Sequence, residues 1–270
     1  MQESRDSWKQ YWESRGSLAG SDHEADHRSS ADIELDKIAE SELLAFIDPQ
    51  KNDKVLDAGC GTGANLCRLS PLVRSIVGIE YSEQMLSRAE KRLCTQGVRN
   101  ATVQLGNIAR MQLESDSFDK VICISVSQYL NNEECAAALK EFVRVCKEGG
   151  IIVLHVKNLA SSYLSSLYAA KKLKSLVSTN VRMEYYRTQR WYERKLNEIG
   201  ATPIQFDANH IFVVDFLPSR LYKWIVRTER KYYKSRFLRR FGSEYFIKAT
   251  VSKEGAGLLR RSDRSSRSAN

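Results

Sequence analysis

The run Val55-Leu56-Asp57-Ala58-Gly59-Cys60-Gly61-Thr62-Gly63-Ala64 carries the densest chemical signal in this chain of 270 residues. An apolar stretch leads straight into three alternating glycines and then into a helical pattern. Such a turn lets bare backbone approach a ligand and points the first amides of the following helix toward it. The glycines alone leave the ligand open, because Gly59-x-Gly61-x-x-Ala64 also satisfies the spacing used for dinucleotides. Asp57, two residues before the first glycine, separates the two readings. A carboxylate there repels a pyrophosphate but suits a ligand carrying an ammonium or sulfonium group.

With Asp57, Gly59, Cys60, Gly61 and Gly63 in place, the run resembles the first motif of the class I S-adenosylmethionine-dependent methyltransferases. The resemblance continues through Ile76-Val77-Gly78-Ile79-Glu80-Tyr81-Ser82, where Glu80 falls 21 residues after Gly59. An acidic side chain at that strand end can accept hydrogen bonds from both hydroxyls of a ribose. The resemblance further implies an apolar contact to the adenine face from Met85, beside Tyr81. In Leu105-Gly106-Asn107-Ile108 the family usually has Asp where this chain has Asn107. The amide oxygen of Asn107 can still accept from the adenine amino group, without the charge. Residues 117–125, ending at Ser125, and then Val126-Ser127-Gln128-Tyr129-Leu130 resemble the fourth strand and the loop that faces the methyl donor. Residues 141–150 resemble the helix and glycine turn before strand five, so the match covers roughly residues 51–157. It implies S-adenosyl-L-methionine as cofactor, bound by these residues.

Methyl transfer rests mainly on positioning the acceptor, and a base is needed only when the acceptor must lose a proton. His155 ends the last core strand, where ligands gather in open α/β sheets. It is either that base or a buried neutral histidine bonded to backbone. Lys157, Asn158, Gln128 and Tyr129 are expected on the same rim as acceptor contacts. The segment Trp8-Lys9-Gln10-Tyr11-Trp12 is similar to the aromatic lid helix of many small-molecule methyltransferases, with Tyr11 expected at the methionine end. The alternative is that these rings only dock the helix onto the core. His23 and His27, among Asp22, Glu24 and Asp26, lack a second ligand cluster, and no metal site is expected.

The elements that must position these residues follow from periodicity. A short helix is predicted over residues 8–16, ended by Gly16, then a polar loop over 16–32. A helix from Ile33 to Ile47 stops before Pro49. Strands are predicted over 54–58, 75–79, 101–105, 120–125 and 150–156, with helices from 64, over 82–96 and over 132–147. Strand–helix alternation with continuous apolar strands predicts an α/β fold, a Rossmann-like, mostly parallel sheet covered on both faces. Beyond Asn158, helices are predicted over 163–176, 188–199 and 219–241, strands over 201–206 and 244–251, and disorder over 252–270. The chain divides into a lid and lead-in helix (1–50), a cofactor-binding core (51–157), a substrate cap with C-terminal strands (158–251) and a basic tail (252–270).

Composition is that of a globular protein, 42% hydrophobic and 28% charged. The formal charge of +9 is unevenly placed: residues 1–219 carry net −2 and residues 220–270 net +11. On a helix, Leu221, Trp224, Ile225, Thr228 and Tyr232 share one face, opposite Lys223, Arg227, Arg230, Lys231 and Lys234. Such a helix docks its apolar face and leaves its charges in water, or it meets an anionic partner such as a membrane surface. The six cysteines form no C-x-x-C pair and read as buried thiols in a reducing compartment. No signal peptide or membrane-length apolar run is recognised, so a cytoplasmic location is expected. The function expected is methyl transfer to a small-molecule or glycan-like acceptor, on oxygen. The alternatives are an RNA methyltransferase, disfavoured by the absence of an Asn-Pro-Pro-Tyr-like motif after strand four, an inactive cofactor-binding partner protein, and a nicotinamide oxidoreductase, disfavoured by Asp57.

Overall fold

A computed structural model describes residues 2–26, 33–175, 182–209, 228 and 242–253. The glycine turn joins strand β1 (Lys54–Ala58) to helix α4 (Ala64–Leu69), preceded by helices α1 (Gln2–Leu18), α2 (Asp22–Ala25) and α3 (Ile33–Ile47). There follow β2 (Ser75–Glu80), α5 (Glu83–Thr95), β3 (Ala101–Leu105), β4 (Phe118–Ile124), α6 (Asn132–Val145) and β5 (Cys146–Lys157). The chain continues through α7 (Ser162–Ser175), α8 (Gln189–Glu198), β6 (Ala201–Asn209) and β7 (Glu244–Val251). The seven strands form one sheet in the order β3-β2-β1-β4-β5-β7-β6. Strands β1 to β5 run parallel, β7 pairs antiparallel with β5, and β6, antiparallel to β7, forms the edge in the same direction as β1 to β5. The Rossmann-like architecture expected from the sequence is therefore the observed one.

Burial explains the continuous apolar strands. Leu56, Val121, Ile152 and Leu154 pack on one face with Phe142 of α6 and Tyr192 of α8. Val55, Ile76, Ile122 and Val153 pack on the other with Phe46 and Ile47 of α3. Each such side chain removed from water contributes about 1.5–3 kcal/mol. Helix α6 begins with a capping box, Asn131 accepting from the Glu134 N–H while Glu134 accepts from the Asn131 N–H. The buried Lys120 fastens the far end of β4 to the end of α3, its Nζ lying 2.6 Å from Asp53 Oδ2 and donating to the Asp48 carbonyl.

Three sequence expectations change. Gly16 does not end α1, which runs on to Leu18. A Cβ on Gly16 would lie 2.7 Å from Gln84 Cβ, so this glycine marks where α1 crosses closely over α5 rather than where a helix stops. The polar stretch after Gly16 is not all loop, since α2 lies within it and buries Ala25. Its signal is weak because it is held by distant partners: Asp22 pairs with Arg88 at 3.1 Å and Arg92 at 2.9 Å, both on α5. Strand β5 starts at Cys146, directly after α6, with a register irregularity where it joins β4. The helix expected over 219–241 (Thr228, itself helical, apart) and the tail beyond residue 253 lie outside the described residues, as does His27. Among the described residues, no helix is long and apolar enough to cross a membrane, and no group of His, Cys, Asp and Glu could hold a metal ion.

Candidate active site

The carboxyl ends of β1, β2 and β4 open onto a cavity of about 480 Å³. Its floor is the glycine turn. Gly59 (φ +87), Gly61 (φ +55) and Gly63 (φ +78) all have left-handed backbone, which side-chain-bearing residues resist. Sterics add to this at Gly59, where a Cβ would lie 2.5 Å from Val126 Cγ2. The Gly59 and Cys60 N–H groups both donate to the Ile79 carbonyl, tying the turn to β2.

Glu80 stands at the end of β2, buried and lining the cavity. Its Oε2 accepts from Gly61 N at 2.9 Å, and its Oε1 accepts from the N–H groups of Tyr81 at 2.8 Å and Ser82 at 2.9 Å. Burial raises its pKa, and those three amides only partly offset the effect. Asp57 is fully buried beneath the turn. The thiol of the adjacent Cys60 is pushed far up by burial and then by the negative charges of Asp57 and Glu80.

Met85, Asn107 and Ile108 line the same end, as the resemblance implies. Asn107 Oδ1 already accepts from Ala109 N at 2.9 Å, which fixes the orientation of the amide. The other end is lined by Ser125, Gln128, Tyr129 and Lys157. Trp8 and Trp12 of α1 also line the cavity, both rings resting on Tyr129 with centroids 4.6 and 5.2 Å from it. Burial raises the Tyr129 phenol far above its usual pKa and keeps it neutral. Arg187 holds this end together, donating to the carbonyls of Ser127 and Leu130 and to Asn132 Oδ1.

Some expected contacts sit elsewhere. Asn158 is fully buried; its Nδ2 donates to the Gly242 carbonyl and to Tyr245 Oη, both at 2.7 Å, and its Oδ1 accepts from Ala160 N. It braces the turn after β5 and cannot touch an acceptor, so its assignment as a rim residue is corrected. Tyr11 does not line the cavity; its ring is covered by the Arg182 guanidinium at 4.5 Å, and Trp8 and Trp12 on either side of it face inward. His155 is also set back. Its Nδ1 lies 2.7 Å from Ser125 Oγ and its Nε2 3.1 Å from Glu244 Oε2, and it is Ser125 and Glu244 that line the cavity. Phe246 stacks on the imidazole at 4.5 Å. Both ring nitrogens thus face side chains, where the structural alternative places backbone.

Glu244 and Asp26 are cavity residues that carry no local sequence signal. Asp26 reaches the glycine turn, its carboxylate accepting from Thr62 N at 3.1 Å and Thr62 Oγ1 at 2.7 Å. A larger, open cleft of about 950 Å³ between α4 and α5 is basic, but its arginines are engaged: Arg68 with Glu40, and Arg88 and Arg92 with Asp22. The first cavity is the chemical one. Its acidic groups (Asp26, Glu80, Glu134 and Glu244) suit a cationic ligand, Gly59, Cys60 and Gly61 line it along the glycine turn, and Met85 and Ile108 offer an apolar face. These residues fit S-adenosylmethionine.

Comparison with known proteins agrees. Residues 55–150 match the family model described as a methyltransferase domain. The chain is 30% identical over 128 residues to an uncharacterized methyltransferase of Schizosaccharomyces pombe, covering 44% of this chain and 45% of the relative. It is 28% identical over 219 residues to an uncharacterized protein of Methanocaldococcus jannaschii, covering 77% and 79%. The chain thus spans less than half of the first relative and most of the second. Among solved structures, a Haemonchus contortus phosphoethanolamine N-methyltransferase in complex with phosphoethanolamine and S-adenosylhomocysteine superposes with a TM-score of 0.65. That match has 17% identity and covers 93% of this chain and 50% of that one, a likeness of fold.

Proposed function

We propose that this chain, which belongs to the class I S-adenosylmethionine-dependent methyltransferase family, moves a methyl group from S-adenosylmethionine to an oxygen of a small-molecule or glycan-like acceptor. The cofactor supplies a methyl group on a sulfonium sulfur, and the protein supplies its place. Glu80 and Asn107 hold the nucleoside end through hydroxyl and amine hydrogen bonds, Met85 and Ile108 pack on the base, and the Gly59–Gly63 backbone accommodates the amino-acid end. The two-ended cavity carries this reading: a cofactor half built on the glycine turn runs into a half lined by Ser125, Gln128, Tyr129, Lys157 and Glu244. Those groups offer donors and acceptors suited to a polar, hydroxylated acceptor. The aromatic end of α1 covers both halves and excludes water from the transfer.

Calorimetry with S-adenosylhomocysteine and with NAD tests the cofactor; binding of the first and not the second is expected. A screen of labelled methyl transfer into alcohols, phenols, sugars, amines and RNA then tests the acceptor. Label entering amines or RNA in preference to hydroxyl compounds would overturn the oxygen reading. The basic segment over residues 220–240 is proposed as a contact for an anionic acceptor or membrane surface. Reversing charge at Lys223, Arg227 and Arg230 should weaken binding to anionic vesicles while leaving S-adenosylhomocysteine affinity unchanged.

A further inference from the structure

We propose that Ser125 is the group that takes the acceptor's proton, with His155 as the base behind it and Glu244 as the residue that positions His155. The proposal rests on the reading of the acceptor as a hydroxyl compound and deepens it. Ser125 is exposed to the cavity at the end of β4, whereas His155 reaches the cavity only through its partners. Ser125 Oγ lies 2.7 Å from His155 Nδ1, and Glu244 Oε2 lies 3.1 Å from Nε2. A carboxylate only accepts, so Glu244 fixes the proton on Nε2 and leaves the Nδ1 lone pair to receive the Ser125 hydroxyl proton. Phe246, stacked on the imidazole at 4.5 Å, restricts the ring.

The backbone at Ser125 supports a dedicated placement. Its φ of +58 is left-handed, a conformation that costs a non-glycine residue on the order of 1 kcal/mol. Both of its backbone polar groups are pinned: its N–H donates to the His155 carbonyl at 3.1 Å, and its carbonyl accepts from Gln128 Nε2 at 2.8 Å. Strain that is over-determined in this way marks a position held for its side chain. A glycine would serve the backbone better, and only the hydroxyl distinguishes serine there.

The proton path balances. The acceptor O–H bond breaks and its proton bonds to Ser125 Oγ, while the Ser125 proton bonds to His155 Nδ1. The electron pair left on the acceptor oxygen forms the new bond to the methyl carbon, and the pair of the broken carbon–sulfur bond stays on the donor sulfur. His155 becomes an imidazolium facing the Glu244 carboxylate, and later returns the proton to water.

Nitrogen-15 NMR of histidine-labelled protein, free and with S-adenosylhomocysteine, reads the His155 tautomer without any acceptor. The expected result is an Nε2–H imidazole whose Nδ1 resonance moves when Ser125→Gly removes the hydroxyl without adding backbone strain. Glu244→Gln should mix the two tautomers. In the methyl-transfer screen at saturating S-adenosylmethionine, Ser125→Gly and Ser125→Ala should lower turnover on hydroxyl acceptors about 100-fold or more. An Nδ1–H tautomer, an Nδ1 resonance indifferent to Ser125→Gly, or wild-type turnover in both Ser125 variants overturns the relay. Failure to bind S-adenosylhomocysteine instead overturns the cofactor reading, while the tautomer measured in the free protein still decides the relay.

Discussion

Glu80 Oε2 accepts a hydrogen bond of 2.9 Å from the Gly61 backbone N–H, so the side chain that ends β2 also holds the middle of the glycine turn. The two motifs, 19 residues apart, act as one unit. Replacing Glu80 with Gln preserves shape but brings an amide NH2 group against one of the N–H donors its two oxygens now serve. Glu80→Gln should weaken S-adenosylhomocysteine binding at least tenfold, about 1.4 kcal/mol, in calorimetry. Because burial already raises the pKa of this carboxyl, the same variant should lose little folding stability in urea titration. An unchanged affinity would remove Glu80 from the cofactor site.

Gly59 faces a double obstacle to substitution, its positive φ and the Val126 side chain. Gly59→Ala should therefore destabilise the fold by about 2–4 kcal/mol. Adding Val126→Ala relieves the contact at 2.5 Å but not the backbone strain, so the double variant should recover only part of the loss. Urea unfolding of these two variants and of Val126→Ala alone separates the two causes. Full recovery would mean that the φ costs nothing.

Helix α1 is fastened at a second place away from its aromatic rings. Glu13 of α1 accepts from the N–H groups of Glu83 at 2.9 Å and Gln84 at 3.1 Å, capping the first turn of α5 from outside. A carboxylate there gains from the amides that a helix start leaves unpaired and from the helix dipole. Glu13→Ala should cost about 1 kcal/mol of stability, and hydrogen exchange in α1 should quicken more than in the sheet. Affinity for S-adenosylhomocysteine should fall a few-fold. Exchange in α1 that stays at the wild-type rate would show that the aromatic contacts alone hold the helix.

Chemistry carried by contiguous residues was legible in the sequence. The turn from Asp57 to Gly63 announces itself because close backbone approach requires glycine, and the strand at 121–124 does so because a sheet covered on both faces needs an unbroken apolar run. Glu244 could not be found in that way. It meets His155 only because β7 pairs antiparallel with β5, setting Glu244 opposite Lys157 across 87 residues of chain. Asp26 was hidden for the same reason, since its partner Thr62 lies 36 residues away and its own segment is almost wholly polar. Asn158 misled because a polar residue after a strand end has the same sequence signature whether it faces a ligand or, as here, braces the Gly242 carbonyl and Tyr245. Periodicity reports which residues face the core, and long-range polar pairing leaves no period to read.

Glu184 gives the Lys157 end of the cavity a pH dependence. Its Oε2 lies 2.6 Å from Lys171 Nζ and accepts from Tyr186 Oη at 2.6 Å, and its Oε1 lies 3.6 Å from Lys157, which lines the cavity. Burial alone would raise this carboxyl, but the two lysines and the tyrosine outweigh it and hold its pKa below the usual 4.5. A carboxyl depressed in the folded state stabilises the fold fully at pH values above its unfolded pKa. That contribution fades as pH falls below 4.5 toward the lower folded value. Urea unfolding of wild type and Glu184→Gln, compared from about pH 6 to about pH 3, should show the variant less stable at the upper end and the difference shrinking toward the lower. The same substitution releases Lys157, at the cavity wall, from its counter-ion, so if the proposed acceptor is anionic it should bind the variant more tightly at neutral pH. A stability difference that stays constant across the range would place the depression of Glu184 in the unfolded chain as well.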